Sequence, residues 1–374
     1  MKILIMAHPC IHTGGAERWW YYVLNELRKA NIFMFIAIPL SLRRGCYECP
    51  KMLLSSNVRI IYVTSGMLSW IKTLIKVIRG EGVDLIISGY QTPQVVLATL
   101  IAAMITKRKH FTMFHTPIGW LPYTQSAELS NVAKLWIKFY KFINDYLSCF
   151  ILSSPSVIYD LRRVHLNVTK YCSVKGSAVI RPIEVAYRSY EERDIDLIYL
   201  ASISKAKGIY DILLLISRVK ERRPDIKAII IGKIHEGLKE EVEKMLTSYG
   251  IKDNVELLGY VDGVKKFELL SRSKIMAYPS YMDTFAISVL EALAMGTPVV
   301  AYAIPAIVVN YRTEAVVKVP VGSIDRMVKE VYEVLNDKQH WQKLSKEAFS
   351  YASTYNWNNI AKSLLTCIMN CLGR

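Results

Sequence analysis

The chain has 374 residues, of which 52% are hydrophobic and 21% are charged. This composition excludes a disordered chain, and the length exceeds what one ordinary core holds, so two domains are expected. The formal net charge of +16 favours anionic partners, such as phosphorylated substrates or an anionic membrane surface. Nucleic acid is not an expected partner, because no recognition motif accompanies the charge.

The predicted strands of the first half are short apolar runs that alternate with stretches of helical length. They are Lys2–Ala7, Ile32–Ile38, Val58–Val63, Val83–Ser88, Phe111–Phe114, Cys149–Leu152 and Ala178–Ile180. The first run is too short for a signal peptide. The longest apolar stretch, Val95 to Ile105, is shorter than the ~20 residues that cross a bilayer. We therefore expect a cytoplasmic protein.

The seven cysteines are expected to be reduced in that setting. Cys46-x-x-Cys49 is half of a zinc-binding pattern without a second half nearby. No metal site is predicted.

A charged, irregular segment follows Pro182, and a second series of strands begins after Asp194. Its members are Ile195–Leu200, Ile226–Ile231, Val255–Leu258, Ile275–Tyr278, Pro298–Tyr302 and Ala315–Val317. Continuously apolar strands indicate parallel sheets covered on both faces. The predicted fold class is α/β, with two doubly wound, Rossmann-like domains facing each other across a cleft.

The stretch from Pro279 to Tyr302 places two acids around one predicted helix. Asp283 lies in the loop after the strand Ile275–Tyr278, and Glu291 follows eight residues later in a helix expected from about Phe285 to Gly296. The N-terminus of such a helix favours a phosphate group. Glu291 suits a ribose diol, and Asp283 suits hydroxyls of a group attached to the phosphate. The pattern indicates a nucleotide sugar.

These residues resemble the retaining glycosyltransferases of the GT-B fold, the glycogen-synthase-like and mannosyltransferase group. The resemblance extends to segments elsewhere in the chain, namely GGAER at Gly14 to Arg18, FHTPIG around His115, SKAKGIYDIL at Ser204 to Leu213 and VELLGYV at Val255 to Val261. It implies an N-terminal acceptor domain over residues 1–182 and a nucleotide-sugar domain over 183–356. The last helix, within 357–374, would pack back on the first domain.

The resemblance also implies a role for each matching residue. Asp283 would contact the transferred sugar, and His115 would line the reaction centre. The donor-binding residues would be Gly14, Gly15, Lys207, Tyr260, Phe285, Ala286, Ile287 and Glu291. The expected reaction is metal-independent transfer, with retention, from a nucleotide diphosphate sugar to a saccharide, lipid-linked or protein acceptor. No further cofactor is expected.

The chain departs from the family pattern at several of these positions. Ala201 and Ser202 stand where Gly-Arg is usual, which removes a bidentate phosphate donor. Lys205 and Arg18 are the candidate replacements. Asp283 replaces the usual Glu, and Ala286 stands where Gly is common.

Other interpretations remain open at this stage. Singly, His115 is typical of a structural histidine, Lys207 of a solvated residue, and Glu291 of an ion pair with a nearby lysine. An oxidoreductase is disfavoured, since no Gly-x-Gly-x-x-Gly follows either first strand. A nucleotide-sugar epimerase and a non-catalytic nucleotide-sugar-binding module of the same fold remain alternatives.

Two predicted helices, Met67–Arg79 and Asn131–Leu147, combine lysines with tryptophan, phenylalanine and aliphatic residues. Basic amphipathic helices of this kind suit a membrane interface. The alternative is that both simply cover the sheet. The first interpretation predicts a peripheral protein at the inner membrane face that acts on a lipid-linked or membrane-adjacent acceptor.

Overall fold

The computed structural model describes residues 1–10, 15–30, 32–39, 48–64, 66–116, 118, 130–235 and 237–373. Within them the chain divides into two compact units. Unit 1 contains the described residues up to Ser177 and those from Trp357 onwards, and unit 2 contains residues 178–356. Gly14 and Cys46 lie outside the described residues, as does the side chain of Cys49.

Unit 1 contains a seven-stranded parallel sheet in the order β3-β2-β1-β4-β5-β6-β7. The strands are β1 (Lys2–Met6), β2 (Phe33–Pro39), β3 (Val58–Val63), β4 (Leu85–Ser88), β5 (Lys109–Phe114), β6 (Cys149–Leu152) and β7 (Tyr171–Ser173). Its helices are α1 (Gly15–Leu27), α2 (Glu48–Lys51), α3 (Met67–Glu81), α4 (Pro93–Thr106), α5 (Asn131–Ile143), α6 (Val157–Arg163) and the last helix of the chain, α14 (Trp357–Leu372).

Unit 2 contains a six-stranded parallel sheet in the order β10-β9-β8-β11-β12-β13. The strands are β8 (Ile195–Leu200), β9 (Ala228–Ile231), β10 (Val255–Gly259), β11 (Ser273–Tyr278), β12 (Val299–Tyr302) and β13 (Val316–Val319). The helices are α7 (Ile209–Lys220), α8 (Lys239–Ser248), α9 (Gly263–Arg272), α10 (Ile287–Ala294), α11 (Pro305–Asn310), α12 (Ile324–Asn336) and α13 (Lys338–Ser353).

The predicted fold class is confirmed: both sheets are parallel and doubly wound. Every residue of β8 is buried, which agrees with a strand covered on both faces. One predicted strand is wrong, because Ala178–Ile180 forms no strand and the sheet of unit 1 ends at β7 instead. An edge strand pairs on one side only, so Tyr171–Ser173 carries little of the apolar signal that marks the central strands.

Both sheets reverse their strand order at a definite point. In unit 1 the reversal lies between β1 and β4, and in unit 2 it lies between β8 and β11. Ligands of doubly wound sheets bind beyond the carboxyl ends of the strands at such a point. In unit 2 the loops at this point, after β8 and β11, contain Lys207 and Asp283.

A buried arginine anchors the end of α10. Arg193 is 2% exposed, and its guanidinium donates to the carbonyls of Met295 (2.8 Å) and Gly296 (3.3 Å) and to Thr297 Oγ1 (2.8 Å). The guanidinium also lies 4.8 Å from the Trp341 ring. Burial lowers the pKa of Arg193 to about 10, so the side chain stays charged at neutral pH. These bonds hold α10 where its first turn meets the switch point.

Four cysteines join α14 to the sheet of unit 1. Disulfides link Cys149 at the start of β6 to Cys371, and Cys172 in β7 to Cys367. The Sγ atoms of Cys149, Cys172 and Cys371 lie within 4.8 Å of one another, but the two S–S bonds occupy them. The expectation of reduced cysteines is therefore wrong for these four residues. The partners are 222 and 195 residues apart, so the spacing of the cysteines in the sequence did not indicate which of them pair.

The two basic amphipathic helices differ in what they bury. In α3 the residues Trp70, Ile71, Leu74 and Ile78 belong to the core of unit 1, so the sheet-covering interpretation holds for this helix. In α5 one face is buried as well, through Ala133, Ile137, Tyr140 and Ile143, but three large apolar residues are exposed, namely Val132 (66%), Leu135 (68%) and Phe142 (75%). Among the helices that the structure describes, none is long and apolar enough to cross a membrane.

Candidate active site

The loops after β8 and β11 lie in direct contact at the switch point of unit 2. Gly208 has φ +75°, and a Cβ there would lie 2.0 Å from the Pro279 carbonyl oxygen. The Tyr281 N–H also donates to the Ala206 carbonyl at 3.0 Å. Only glycine combines this backbone conformation with so close an approach. Gly208 therefore lets the Lys205–Lys207 turn lie against the loop that contains Asp283.

Lys207 and Asp283 form an ion pair across these two loops. Lys207 Nζ lies 2.6 Å from Asp283 Oδ2 and 2.8 Å from the Met282 carbonyl oxygen. Both side chains are largely buried, with 16% and 19% of their surfaces exposed. The sequence placed both residues at carboxyl ends of strands, and the structure brings them into contact.

Asp283 accepts five hydrogen bonds. Oδ2 accepts from Lys207 and from Tyr278 Oη at 2.6 Å. Oδ1 accepts from the N–H groups of Thr284 (2.8 Å), Phe285 (3.2 Å) and Ala286 (2.8 Å). A carboxylate has about four lone-pair positions, so these donors fill its capacity. Asp283 thus caps its own loop.

The charge on Asp283 is stabilised by the same contacts. Burial acts to raise the pKa of the carboxyl group, but the Lys207 ammonium and the hydrogen bonds from Lys207, Tyr278 and the Ala286 N–H outweigh it. The pKa is held at about 2. Asp283 is therefore ionised throughout the neutral range.

The loop enters α10 through a residue in the left-handed conformation. Ala286 has φ 58° and ψ 60°, and α10 begins at Ile287, two residues later than the sequence predicts. The N–H groups of Phe285 and Ala286 are bonded to Asp283. The first turn of a helix has N–H groups without intrahelical acceptors, and here it starts with Ile287 and Ser288.

Three of the predicted donor-binding residues differ in how much of their surface is exposed. Phe285 is 7% exposed, and its ring packs 5.6 Å from that of Tyr311. Ala286 is 2% exposed, whereas Ile287 is 38% exposed. Phe285 and Ala286 shape the loop, and Ile287 lies at its surface.

Glu291, the fifth residue of α10, forms a buried ion pair with a lysine of α9. Lys266 Nζ lies 2.7 Å from Glu291 Oε1 and 2.9 Å from Asp262 Oδ1. Lys266 is 6% exposed and Glu291 is 8% exposed. The sequence allowed an ion pair between Glu291 and a nearby lysine, but no feature of the sequence identified Lys266 as that lysine.

Tyr260 and Lys205 lie at the periphery of this site. Tyr260 is 71% exposed, and its hydroxyl donates to Asp262 Oδ2 at 3.1 Å. Lys205 Nζ lies 5.3 Å from the centre of the Tyr210 ring, and Tyr210 raises the pKa of this ammonium. Ser202, where an arginine is usual, is exposed and contributes no cation.

Asp194 and Asp196, the acids of an Asp-x-Asp sequence, lie at the opposite ends of the strands from this site. Asp194 pairs with Arg272 at 2.5 Å, and Asp196 pairs with Arg223 (2.9 Å) and Lys274 (3.0 Å). Because β8 starts at Ile195, these contacts are at the amino ends of the strands. Asp194 and Asp196 therefore form ion pairs at the amino ends of the strands and are not part of the candidate site.

In unit 1, His115 follows β5 and lies among aromatic rings. Its ring centroid is 5.3 Å from Trp19, 6.1 Å from Trp20 and 6.3 Å from Tyr90. Burial lowers the pKa of His115 to about 3, although a hydrogen bond to the Gly89 backbone acts to raise it. The imidazole is therefore neutral near pH 7.

The glycine-rich segment of unit 1 is described from Gly15, the first residue of α1. Among the described residues outside its own helix and its chain neighbours, none has an atom within 4 Å of the position that a Cβ would take at Gly15. The packing of these described residues thus does not require a glycine at this position. Arg18 lies one turn further along α1 and is half-buried.

The chain is similar in sequence to known glycosyltransferases. Residues 185–351 match the family of glycosyl transferases group 1. The D-inositol 3-phosphate glycosyltransferase of Mycobacteroides abscessus is 30% identical over 158 residues, which are 41% of this chain and 35% of that protein. The glycogen synthase of Mycobacterium tuberculosis is 24% identical over 171 residues, 44% of this chain and 40% of that protein. The chain thus spans less than half the length of these two relatives.

The fold is similar to solved structures over nearly the whole chain. Anabaena HepE in complex with UDP has a TM-score of 0.75 at 15% identity, covering 99% of this chain and 100% of that one. Sucrose-phosphate synthase from Thermosynechococcus elongatus has a TM-score of 0.77 at 16% identity, covering 100% and 99%. At this level of identity the likeness shows the fold.

Proposed function

We propose that this chain, a protein of the GT-B fold whose residues 185–351 belong to the glycosyl transferases group 1, transfers a sugar from a nucleoside diphosphate sugar to an acceptor. One observation carries the proposal: the Lys207–Asp283 ion pair lies where the chain enters α10, and Glu291 lies four residues into that helix. A cation, a helix N-terminus and a carboxylate are what a pyrophosphate and a ribose require.

The donor would use these groups in order. The pyrophosphate binds Lys207 and the N–H groups of Ile287 and Ser288 in the first turn of α10. Glu291 accepts hydrogen bonds from the ribose hydroxyls, and Tyr260 offers its exposed ring to the base. Gly14 and Gly15 leave room for the donor, as the family resemblance implies. Among the candidate phosphate ligands, Lys207 is favoured over Lys205 and Arg18 because its ammonium is already fixed at the head of α10.

Asp283 would act chiefly by building this site. Its five hydrogen bonds hold the loop and orient Lys207, so a sugar hydroxyl reaches the carboxylate only by replacing Lys207 or Tyr278. We therefore propose that Asp283 contacts the transferred sugar after such an exchange.

The chemistry we propose is retention by same-face attack. Lys207 and the positive end of α10 stabilise the departing diphosphate, which takes the acceptor proton, and this step needs no metal ion. His115 is a poor base at a pKa of about 3, so it is assigned a neutral polar contact at the reaction centre. Full activity in EDTA is the expected result, and loss of activity that manganese restores would contradict the metal-free step.

A lipid-linked or membrane-adjacent acceptor is favoured by α5. Val132, Leu135 and Phe142 of α5 and Tyr146 of the 3-10 turn that follows it, here together called the α5 stripe, are each at least 56% exposed. The stripe extends about 20 Å along the helix direction, and Lys134, Lys138 and Lys141 beside it are also exposed. Apolar side chains flanked by lysines suit an anionic membrane surface.

The membrane proposal is tested by sedimentation with vesicles of graded phosphatidylserine content at low and high salt. The double variant L135S/F142S should lose binding that the wild type shows. Leu68→Ser is the matched control, since Leu68 is 73% exposed in α3 but lies outside the stripe. A wild-type protein that stays in the supernatant at every composition would favour an acceptor in solution.

The transfer reaction is tested with a panel of nucleoside diphosphate sugars. Binding is screened by thermal shift, and release of nucleoside diphosphate is then measured with and without saccharide and lipid-linked acceptors. Acceptor-dependent release, with a product of unchanged anomeric configuration by NMR, is the expected result. Conversion of the donor without acceptor would indicate an epimerase, and binding without turnover would indicate a non-catalytic module.

A further inference from the structure

Lys266 is a buried ammonium between two carboxylates. It projects from α9 with 6% of its surface exposed, and its Nζ lies 2.7 Å from Glu291 Oε1 and 2.9 Å from Asp262 Oδ1. Asp262 occupies the N-cap position of α9, and its second oxygen accepts a hydrogen bond from Tyr260. The four side chains form a continuous polar chain from the exposed Tyr260 to the buried Glu291.

A lysine in this position requires an explanation, because lysine is rarely buried unless it is paired. Burial acts to lower the pKa of Lys266, but Glu291 and Asp262 outweigh it and raise the pKa above its usual value. The ammonium is therefore charged, and it forms ion pairs with both Glu291 and Asp262.

We propose that Lys266 is the positioning residue of the nucleoside half of the donor site, holding Glu291 in the orientation that grips the ribose hydroxyls. This inference rests on the proposed function, since it concerns the same donor. Lys266 itself does not touch the ribose in this assignment. It acts by fixing one oxygen of Glu291, so that the carboxylate plane is set before the donor binds.

In this proposal Lys266 preorganises the Glu291 side chain for the ribose. A glutamate side chain has three rotatable bonds, and a ligand that had to order them would bind more weakly. A buried bond of 2.7 Å to a lysine that Asp262 also holds removes that freedom in advance. A carboxylate held in one orientation can accept hydrogen bonds from two neighbouring hydroxyls at once.

The test compares ribose with deoxyribose ligands by calorimetry. The probes are UDP and GDP and their 2′-deoxy counterparts, with the wild type, Lys266→Met and Lys265→Met. Lys265 is the matched control, since it is the neighbouring lysine on α9 but is exposed. The wild type and Lys265→Met should bind the better ribose ligand on the order of 10-fold more tightly than its deoxy form. In Lys266→Met this ratio should fall below about 3-fold.

The outcomes separate this inference from the proposed function. Wild-type protein that binds neither UDP nor GDP would overturn the proposed function and this inference with it. Wild-type binding with an unchanged ribose preference in Lys266→Met would overturn the inference alone, leaving the pair as a structural contact. If Lys266→Met does not fold, Lys266→Gln keeps a donor without the charge and carries the same comparison. Restored preference in Lys266→Arg would support positioning by a cation.

Discussion

Lys207 and Asp283 are 76 residues apart in sequence, yet their side chains meet at 2.6 Å and join the loops that follow β8 and β11. The contact places a cation at the head of α10 while satisfying the carboxylate that caps the loop. Lys207 thus has two partners: the protein itself in the present structure and, by our proposal, a pyrophosphate in the donor complex.

Lys207→Ala is expected to weaken nucleoside diphosphate binding by at least about 10-fold, because a charge-assisted contact to the pyrophosphate is lost. Isothermal titration calorimetry with UDP and GDP measures the change. Lys205→Ala serves as the matched control from the same turn, and it should change affinity little, since its ammonium lies against Tyr210. Weaker binding in Lys205→Ala with an unaffected Lys207→Ala would reverse the assignment of the two lysines.

Asp283→Ala and Glu291→Ala are each expected to lower transfer at least ~100-fold. Asp283→Ala should also affect stability. Asp283→Ala removes the acceptor of three N–H groups and the partner of Lys207, so unfolding free energy should also fall by about 2 to 4 kcal/mol. Near-normal turnover in a folded variant of either residue would remove it from the site.

The pH dependence of stability tests the same carboxylate. The pKa of Asp283 is about 2 in the folded protein, against 3.8 for an ordinary aspartate. A depressed pKa contributes stability above the unfolded value, here about 2 kcal/mol, and this contribution is lost as the pH falls from about 4 towards 2. Urea unfolding over that window should show a shallower loss for Asp283→Asn than for the wild type. Parallel curves would mean that the group is not stabilised in its ionised form.

Ala286→Gly should stabilise the protein by roughly 0.5 to 1 kcal/mol. Ala286 has φ 58°, and the left-handed conformation costs a residue with a Cβ more than it costs glycine, even after the greater chain entropy of glycine. Ala292→Gly is the matched control with the opposite sign, since Ala292 lies inside α10 and its replacement should destabilise by about 1 kcal/mol. Thermal unfolding of both variants decides the matter, and two losses of equal size would contradict strain at Ala286.

The two disulfides that join α14 to the sheet of unit 1 should make the stability of this unit depend on reductant. Both close loops of about 200 residues, and such crosslinks typically contribute about 2 to 4 kcal/mol each. Dithiothreitol is therefore expected to lower the melting temperature of the wild type by more than that of a variant with Cys149, Cys172, Cys367 and Cys371 all replaced by serine. Mass spectrometry after alkylation of the unreduced protein should find that these four cysteines are not alkylated. Alkylation of all four would show that the bonds do not form in solution.

The sequence by itself determined the strands of both sheets apart from one edge, since continuous apolar runs such as Ile195–Leu200 report burial on two faces. It also predicted that Lys207 and Asp283 follow the carboxyl ends of strands, and the structure shows that these two strands are neighbours in a parallel sheet. Only the tertiary structure decided the partners. The contacts of Glu291 with Lys266, of Asp283 with Lys207 and of Cys149 with Cys371 each depend on distances between separate segments of the chain. Helical periodicity likewise marked α3 and α5 as equally amphipathic, and only packing buried Trp70 and left Phe142 exposed, because a period reports which residues share a face and not what covers it.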